Sequence, residues 1–465
     1  MDFINNLLIS INNFLYSNIL IVLLIAAGLY FTIKTKFVQI LLFPDAIKAV
    51  TEKSNNNNIS SFQALMISTA SRVGVGNIAG IAVAIIVGGP GAVFWMWLMA
   101  IIGAASAFVE STLAQIYKVK DTNGGFRGGP SYYMQKALGK RWLGIIFSIL
   151  LIVCFAYGFN SLQAYTISSS VSYYVPNYKE TIIPIVLGIA LTALSAFIIF
   201  GGVHRIGFIT SYVVPIMALI YISLGIFISI KNYDKIPHMM ALIFKSAFDF
   251  KSIFGGFAGS VLLIGIKRGL FSNEAGMGSA PNAAATADAS HPVKQGLVQI
   301  LSVFIDTILI CTTSAFLVLL SGVDLDCGLN EIPFIQAAIK NQIGPIGIHF
   351  ITFSIFAFAF TSIIGNYCYA ESNILFIKNN KHLLTVFRIT CLLAIFLGTQ
   401  ADFGTVYNLA DIFMALMALL NIIAILLLGN IANKALKDYV SQKKQGKDPV
   451  FHPEKLGIKN TESWD

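Results

Sequence analysis

Two apolar stretches of this 465-residue chain carry polar residues that a membrane-crossing helix has no ordinary use for. The first, ALMISTASRVGVGNIAGIAVAIIVGG, holds Arg72, Gly74, Gly76 and Asn77 near its middle, with Gly80 one turn on. The second, GGFAGSVLLIGIKRGLFSNEAGMGSAPNAAATA, holds Lys267, Arg268, Gly269, Ser272, Asn273 and Glu274. Charges at bilayer depth are expensive unless they line a cavity or find partners. Non-helical backbone survives there only where protein covers it or water reaches it. A break at such a point supplies chemistry. A half-helix N-terminus at residues 76–78 exposes free N–H groups and a positive dipole end, which suits a carboxylate. A half-helix C-terminus at residues 70–73 exposes free carbonyls, which suit Na⁺. Gly74 and Gly76 let the backbone bend and a ligand come close, and Asn77 offers an acceptor and donors together. Gly76 and Gly80 also form a GxxxG match, so a helix-packing face is the plain alternative. GVGNIAG has the spacing GxGxxxG and no soluble βαβ unit around it, which argues against a dinucleotide loop.

The elements that position these breaks follow from composition. The chain is 56% hydrophobic and 11% charged, where soluble domains carry roughly a quarter charged residues. That indicates an all-α polytopic membrane protein and argues against a nucleic-acid binder, despite a net charge of +9. Five scattered cysteines with no CxxC make neither a disulfide framework nor a zinc site. No HExxH, GxSxG or GxxxxGK[ST] motif is present. With about 20 apolar residues needed per crossing, eleven spans are predicted: 17–33, 62–88, 91–117, 142–170, 182–200, 206–230, 252–285, 292–321, 349–377, 383–399 and 403–430. Lys and Arg divide 22 to six between the two sides, which places the N-terminus outside and the C-terminus in the cytoplasm. The stretch 118–141 reads as a cytoplasmic loop holding a short helix, and the Asn-rich run at 55–58 as a loop. The tail from about Ala432, with Gly446, Pro449 and Pro453, reads as polar and poorly ordered.

The breaks occupy matching places. With the first helix set aside, the second span opens one group of five and the seventh opens another. Arg72-x4-Asn77-x-Ala79-Gly80 parallels Arg268-x4-Asn273-x-Ala275-Gly276. Paired interrupted helices in corresponding positions of two halves point to a transporter site. The expected organisation is residues 1–33 as an extra first helix, 62–230 and 252–430 as two inverted five-helix repeats, and 431–465 as a cytoplasmic tail.

Three segments resemble the alanine/glycine:cation symporter family, also called sodium:alanine symporters. GGPGAVFWMWLMAIIG (88–103) matches the family's signature, and SRVGVGNIAG (71–80) and KRGLFSNEAGMGSA (267–280) resemble its two broken helices. The likeness extends from about residue 14 to about 435. It implies a LeuT-type core, an inverted 5+5 repeat preceded by one helix, and Na⁺- or H⁺-driven uptake of small neutral amino acids: alanine, glycine, or a longer one such as serine or glutamine. Phe94, Trp95 and Trp97 of the signature read as aromatic packing or an interface belt rather than a site.

By the same resemblance, the N–H groups near Val75, Gly76 and Asn77 hold the substrate carboxylate, and the carbonyls of Ala70 and Val73 face a sodium ion. The ninth span, FITFSIFAFAFTSIIGNYCYAESN, supplies the remaining ligands from the Phe358 carbonyl and the Thr361 and Ser362 hydroxyls. Such hard oxygens suit Na⁺; hydroxyls bonded back to their own helix are the alternative. Gln163 lines the substrate pocket or makes a helix-to-helix hydrogen bond. Ile266 and Leu270 flank the second break as apolar wall. At Asn366 some relatives carry Trp, and an Asn there leaves room for a longer or polar substrate side chain. Arg72, Lys267, Arg268, Glu110, Glu274, Asp306, Glu371 and Asp411 are too many to face lipid, so some pair, as gates or as static structure. Arg72 is expected beside one of the carboxylates and Glu274 at a half-helix start as a cap. The mechanism expected is alternating access in a bacterial inner membrane. A channel would want a continuous polar stripe or charge ring, and an intramembrane enzyme a catalytic pair such as Asp306 with Asp411; neither pattern is present.

Overall fold

In a computed structural model, the chain is described for residues 2–464 apart from 53, 55–57, 122–123, 176, 250–259, 326, 330 and 402, with the side chains of 2–7, 18 and 403–406 left aside. Most of the Asn-rich run and the expected start of the second repeat therefore lie outside the described residues. Among those described, eight helices are long and apolar enough to cross a bilayer. Ser61–Arg72 and Val75–Gly88, bent by 40° at a short break, together make a ninth. Ile183–Ile199 is a shorter apolar helix of 17 residues, and Val261–Asn273 lies at the place of the second interrupted span.

Local sequence explains where the key helices start. Ser60 and Gln63 form a reciprocal capping box at the start of Ser61–Arg72, which satisfies two otherwise orphaned N–H groups. Ser260 accepts from Leu263 N at 3.2 Å and opens Val261–Asn273. Asn380 caps Lys381–Gly398 in the same way. The helix Ala92–Ile116 is the central strut: Pro292–Val303, Val261–Asn273 and the first helix all pack along it. Its signature aromatics are structural. Trp95 Nε1 donates to Ala247 O at 3.2 Å, Trp97 Nε1 donates to Thr312 Oγ1 at 2.8 Å, and the Phe94 ring lies 4.9 Å from that of Phe248.

The structure extends several expected elements. The first helix begins at Asp2 rather than residue 17 and runs, with one wide π-helical turn, to Lys34. Its polar Asn12 is accommodated because its amide meets Asp411 and Lys267. The loop at 118–141 holds a small hairpin pairing Val119–Lys120 with Phe126–Arg127, then the expected short helix, Pro130–Lys136. Two helices between spans, Ile236–Ala247 and Glu331–Ile343, were not expected.

The tail corrects the sequence reading most sharply. Its helix continues to Lys444, and residues beyond it pack on the protein. Phe451 is buried, its N–H donates to Ser290 O at 3.0 Å, and its ring lies 5.3 Å from His291 and 5.1 Å from Trp464. Trp464 Nε1 donates to Gln115 O at 3.0 Å, and Lys118 Nζ stands 4.6 Å over the indole. Asp448 meets Lys294 at 2.8 Å and Glu462 meets Lys136 at 2.5 Å. Few apolar residues anchor this segment, which is why composition reads it as free. Phe451→Ala should cost about 3 kcal/mol of docking. The check is limited trypsin digestion, with faster cleavage at Lys447 and Lys455 expected; wild-type cleavage rates would mean another contact holds the tail.

Candidate functional site: two broken helices and the side chains that hold them

The first break lies between Arg72 and Val75. Val73 leaves the helix and Gly74 is extended, which frees the Val75 N–H and the last carbonyls of the preceding half. Each is met by a side chain. Asn77 Oδ1 accepts from Gly74 N at 3.1 Å, and Gln163 Oε1 accepts from Val75 N at 3.1 Å. Ser362 Oγ lies 2.9 Å from Ala70 O and 3.1 Å from Val73 O. One hydroxyl hydrogen satisfies one of these carbonyls at a time, so oxygens outnumber donors there. Gly74 is required by this crowding: a Cβ would stand 2.4 Å from Ser362 Oγ and 2.6 Å from Gln163 Nε2. At Gly76 a Cβ would strike the Phe271 ring at 2.5 Å.

The second break follows Asn273. Glu274 takes a left-handed conformation at φ 55°, and the chain stays non-helical until Pro281–Ala284. Glu110, wholly buried on the central strut, holds this segment: its carboxylate accepts from Gly276 N at 3.2 Å, Gly278 N at 3.1 Å and Asn421 Nδ2 at 2.6 Å. Glu274 does not cap a half-helix start, as its sequence position suggested. It closes the helix Val261–Asn273 instead, and its carboxylate accepts from Ser279 Oγ at 2.6 Å and Ser71 Oγ at 3.0 Å. Ser71 Oγ also lies 2.6 Å from Asn366 Oδ1, and Asn366 Nδ2 donates to Asn160 Oδ1 at 3.0 Å. A polar chain thus runs from one break to the other and on to the fourth and ninth expected spans.

A second cluster surrounds Asp306. Asn77 Nδ2 donates to its Oδ1 at 2.6 Å, Ser272 Oγ to its Oδ2 at 2.5 Å, and Thr307 Oγ1 to the same oxygen at 2.9 Å. Asp306 is fully buried. Among the described residues, no group of three or more His, Cys, Asp or Glu could hold a metal ion; the arrangement is one of hydroxyls, amides, carbonyls and single carboxylates.

A family model described as Sodium:alanine symporter family matches residues 1–453. The chain belongs to this family. It is therefore a membrane transporter and not an enzyme. It is 48% identical over 97% of its length to the "Probable sodium/glutamine symporter GlnT" of Bacillus subtilis (strain 168), covering 94% of that protein. It is 40% identical to the "Sodium/proton-dependent alanine carrier protein" of Bacillus sp. (strain PS3), covering 89% of this chain and 95% of that one. The crystal structure of MhsT in complex with L-phenylalanine superposes with a TM-score of 0.55 at 13% identity, over 86% of this chain and 92% of that one. That likeness shows the fold, which is LeuT-type.

Within this symporter, the sequence-derived residues fall into three groups. Ala70, Val73, Val75, Gly76, Asn77, Gln163 and Ser362 meet at the first break. Asn366 reaches it through Ser71. Thr361 points its hydroxyl at the carbonyls of its own helix, 3.0 Å from both Ala357 O and Phe358 O. Ile266 and Leu270 are buried on the helix that carries Phe271. It is Phe271 that touches the break, with Phe159 at 4.9 Å and Tyr407 at 5.9 Å completing an aromatic wall. Sequence reasoning missed this wall, and it noted Glu110 only as a charge needing a partner and Asp306 as that or as half of a catalytic pair with Asp411. Arg72 stands close enough to Glu110, Glu274 and Asp306 to act on their charges, as expected, while its hydrogen bond, at 3.2 Å, goes to Gln299. Among the described residues, Lys267 pairs with Asp411 at 2.6 Å and Arg388 with Glu371 at 2.9 Å. Gly74→Ala should leave a folded protein whose uptake falls at least tenfold, because its methyl displaces Ser362 and Gln163 together. Wild-type uptake by this variant in proteoliposomes would show that neither side chain has to stay where it is.

Proposed function

We propose that this chain couples inward Na⁺ movement to uptake of a small neutral amino acid by alternating access. The observation that carries the reading is the convergence of Ser362 Oγ with the Ala70 and Val73 carbonyls at the helix break. Three hard oxygens sharing one hydrogen suit a small hard cation. Phe358 O and Thr361 complete the donor set from the same helix. The substrate carboxylate sits on the N–H groups of residues 75–77, where Gln163 is the neighbouring polar side chain. Ile266, Leu270 and Phe271 form apolar wall. In this reading eleven helices cross the membrane: residues 1–33 contribute the extra first helix, 62–230 and 252–430 the inverted repeats. The N-terminus is outside, and the Lys-rich C-terminal end faces the cytoplasm of a bacterium. Inward Na⁺ movement yields about 2.3 kcal/mol per charge per 100 mV, enough for roughly 50-fold accumulation.

For substrate, the Ser71–Asn366–Asn160 chain favours an amino acid with a polar side chain, glutamine or serine, beside alanine and glycine. A site that hydrogen-bonds a polar substrate group rejects analogues lacking it far more strongly than an apolar pocket rejects an extra methylene. The relative named as a sodium/glutamine symporter agrees with this.

Proton coupling is the second reading, favoured by Asp306, a carboxylate buried among Asn77, Ser272 and Thr307 with no cation bonded to it among the described residues, and by the name of the sodium/proton-dependent relative.

The test is uptake of alanine, glycine, serine and glutamine into proteoliposomes, with and without an inward Na⁺ gradient. Na⁺-dependent uptake is expected, glutamine and serine included. Uptake that ignores Na⁺ and follows a proton gradient would transfer the coupling to the Asp306 cluster. Ser362→Ala should raise the Na⁺ concentration for half-maximal uptake about tenfold, an unchanged value removing it from the ion site. Asn366→Trp should suppress glutamine uptake while sparing alanine; equal loss of both would deny Asn366 a role in selectivity.

A further inference from the structure

At the lysine-rich end of the molecule, a groove of about 420 Å³ lies between the end of the first helix and the last turns of Phe403–Lys444. Four lysines line it: Lys34, Lys36, Lys437 and Lys444. No Asp or Glu does. Among the described residues these four lysines make no ion pair. The acidic side chains at this end are engaged elsewhere, Asp45 with Lys443, Asp438 with His291 and Gln442, and Asp448 and Glu52 with Lys294. The groove is therefore a place of unneutralised positive charge.

Its floor is apolar. Val38 and Leu41 come from the turn after the first helix, and Leu436 and Val440 from the long one. Leu436, Lys437, Val440 and Lys444 follow a three- and four-residue spacing, so they share one helix face. The chain enters the groove through two successive left-handed residues, Lys36 at φ 56° and Phe37 at φ 57°. Non-glycine residues rarely adopt this conformation, and it persists only where surroundings hold it. Beside the groove, Ile33 is 69% exposed and Leu41 68% exposed, apolar surface that a bilayer covers.

Depth fits the chemistry. Tyr407–Lys444 spans about 57 Å at 1.5 Å per residue, against a hydrocarbon core of about 30 Å. Its apolar run gives way to lysines only near Lys434, and the first helix ends its own run at Lys34. Lysines there carry their ammonium groups to headgroup level while their stems cover apolar surface. The groove thus straddles the boundary between acyl chains and headgroups, with an apolar floor on one side and ammonium groups on the other.

We propose that this groove is a binding site for one anionic phospholipid, its headgroup phosphate held by Lys36, Lys437 and Lys444 and an acyl chain laid over Leu41, Leu436 and Val440. Basic pockets between helices at a membrane surface recognise anionic headgroups in this way, each lysine contributing about fivefold in affinity. The lipid ties the first helix to the last helix, two elements that also meet through Asn12 and Asp411. A zwitterionic headgroup offers less, since its own ammonium opposes the lysines.

The test is native mass spectrometry of the delipidated full chain in detergent, titrated with phosphatidylglycerol, phosphatidylcholine or inorganic phosphate. Wild type should bind phosphatidylglycerol at least tenfold more tightly than phosphatidylcholine. The triple variant Lys36→Gln, Lys437→Gln, Lys444→Gln should lose at least tenfold of that preference. A control triple with the same change of charge, Lys378→Gln, Lys381→Gln, Lys455→Gln, should keep it. The single variant Lys437→Gln, expected to lose about fivefold, serves if the triple elutes as aggregate. Equal binding of the two lipids, an equal loss in the control triple, or complete displacement by inorganic phosphate would overturn the proposal. So would dimers that become monomers in the groove variant, which would make the groove a contact between copies of the chain.

Discussion

Backbone N–H and C=O groups released inside a bilayer have no water to turn to, and each unsatisfied group there costs several kcal/mol. Everything at the centre of this protein answers that constraint. The first break frees the Val75 N–H and the carbonyls of Ala70 and Val73, and Gln163 and Ser362 arrive from other helices to meet them. The second break turns its amides toward Glu110. The same requirement makes the site useful to a transporter. A carboxylate can take the place of Gln163 on an N–H, and a cation can take the place of a hydroxyl hydrogen between carbonyls. In the function proposed above, substrate and ion would be recognised by the groups that the break must satisfy anyway.

The two breaks share a sequence pattern and are supported in different ways. The first is held by Gln163 and Ser362, which sit on helices that pack with one another and with Lys381–Gly398. The second is held by Glu110 on Ala92–Ile116, the strut along which Val261–Asn273 and Pro292–Val303 also pack. Glu110 and the segment it binds lie on helices that pack together, and the helix of Ser362 packs equally against the helices of Gln163 and of Ala70.

What the sequence makes legible follows from the strength of each local signal. Arg72, Asn77 and the glycines stand out because hydrocarbon-spanning helices have no other use for them, and the structure has a break at that place. Gln163, Ser362 and Asn366 are polar residues in apolar runs, and each touches the break or its polar chain. The partners of the charges are not legible. Asp306 meets Asn77 from 229 positions away and Asp411 meets Lys267 from 144, and no spacing rule reaches that far. Phe271 is one more apolar residue in an apolar helix until its ring is seen against Gly76. The tail misleads for the opposite reason. Phe451 and Trp464 are lone aromatics in a polar run, and composition averages them away, although their two rings anchor the segment.

The ion position proposed above, between the helix of Ala70 and the helix of Ser362, has a mechanical consequence. Ser362 Oγ bridges these two helices with one hydrogen, satisfying either Ala70 O or Val73 O. A cation at the same place would draw both carbonyls and the hydroxyl toward one point, and so would bind the two helices together more strongly than the hydroxyl does alone. The Asn77 amide would then carry that state to Asp306, because its oxygen caps Gly74 while its nitrogen holds Asp306. The Ser71 hydroxyl does the same toward the second break through Glu274. Loading one break is thereby felt at the other through two side chains rather than through a long relay. The proposed coupling of ion to substrate needs no more than this, since both would bind groups of the same interrupted turn.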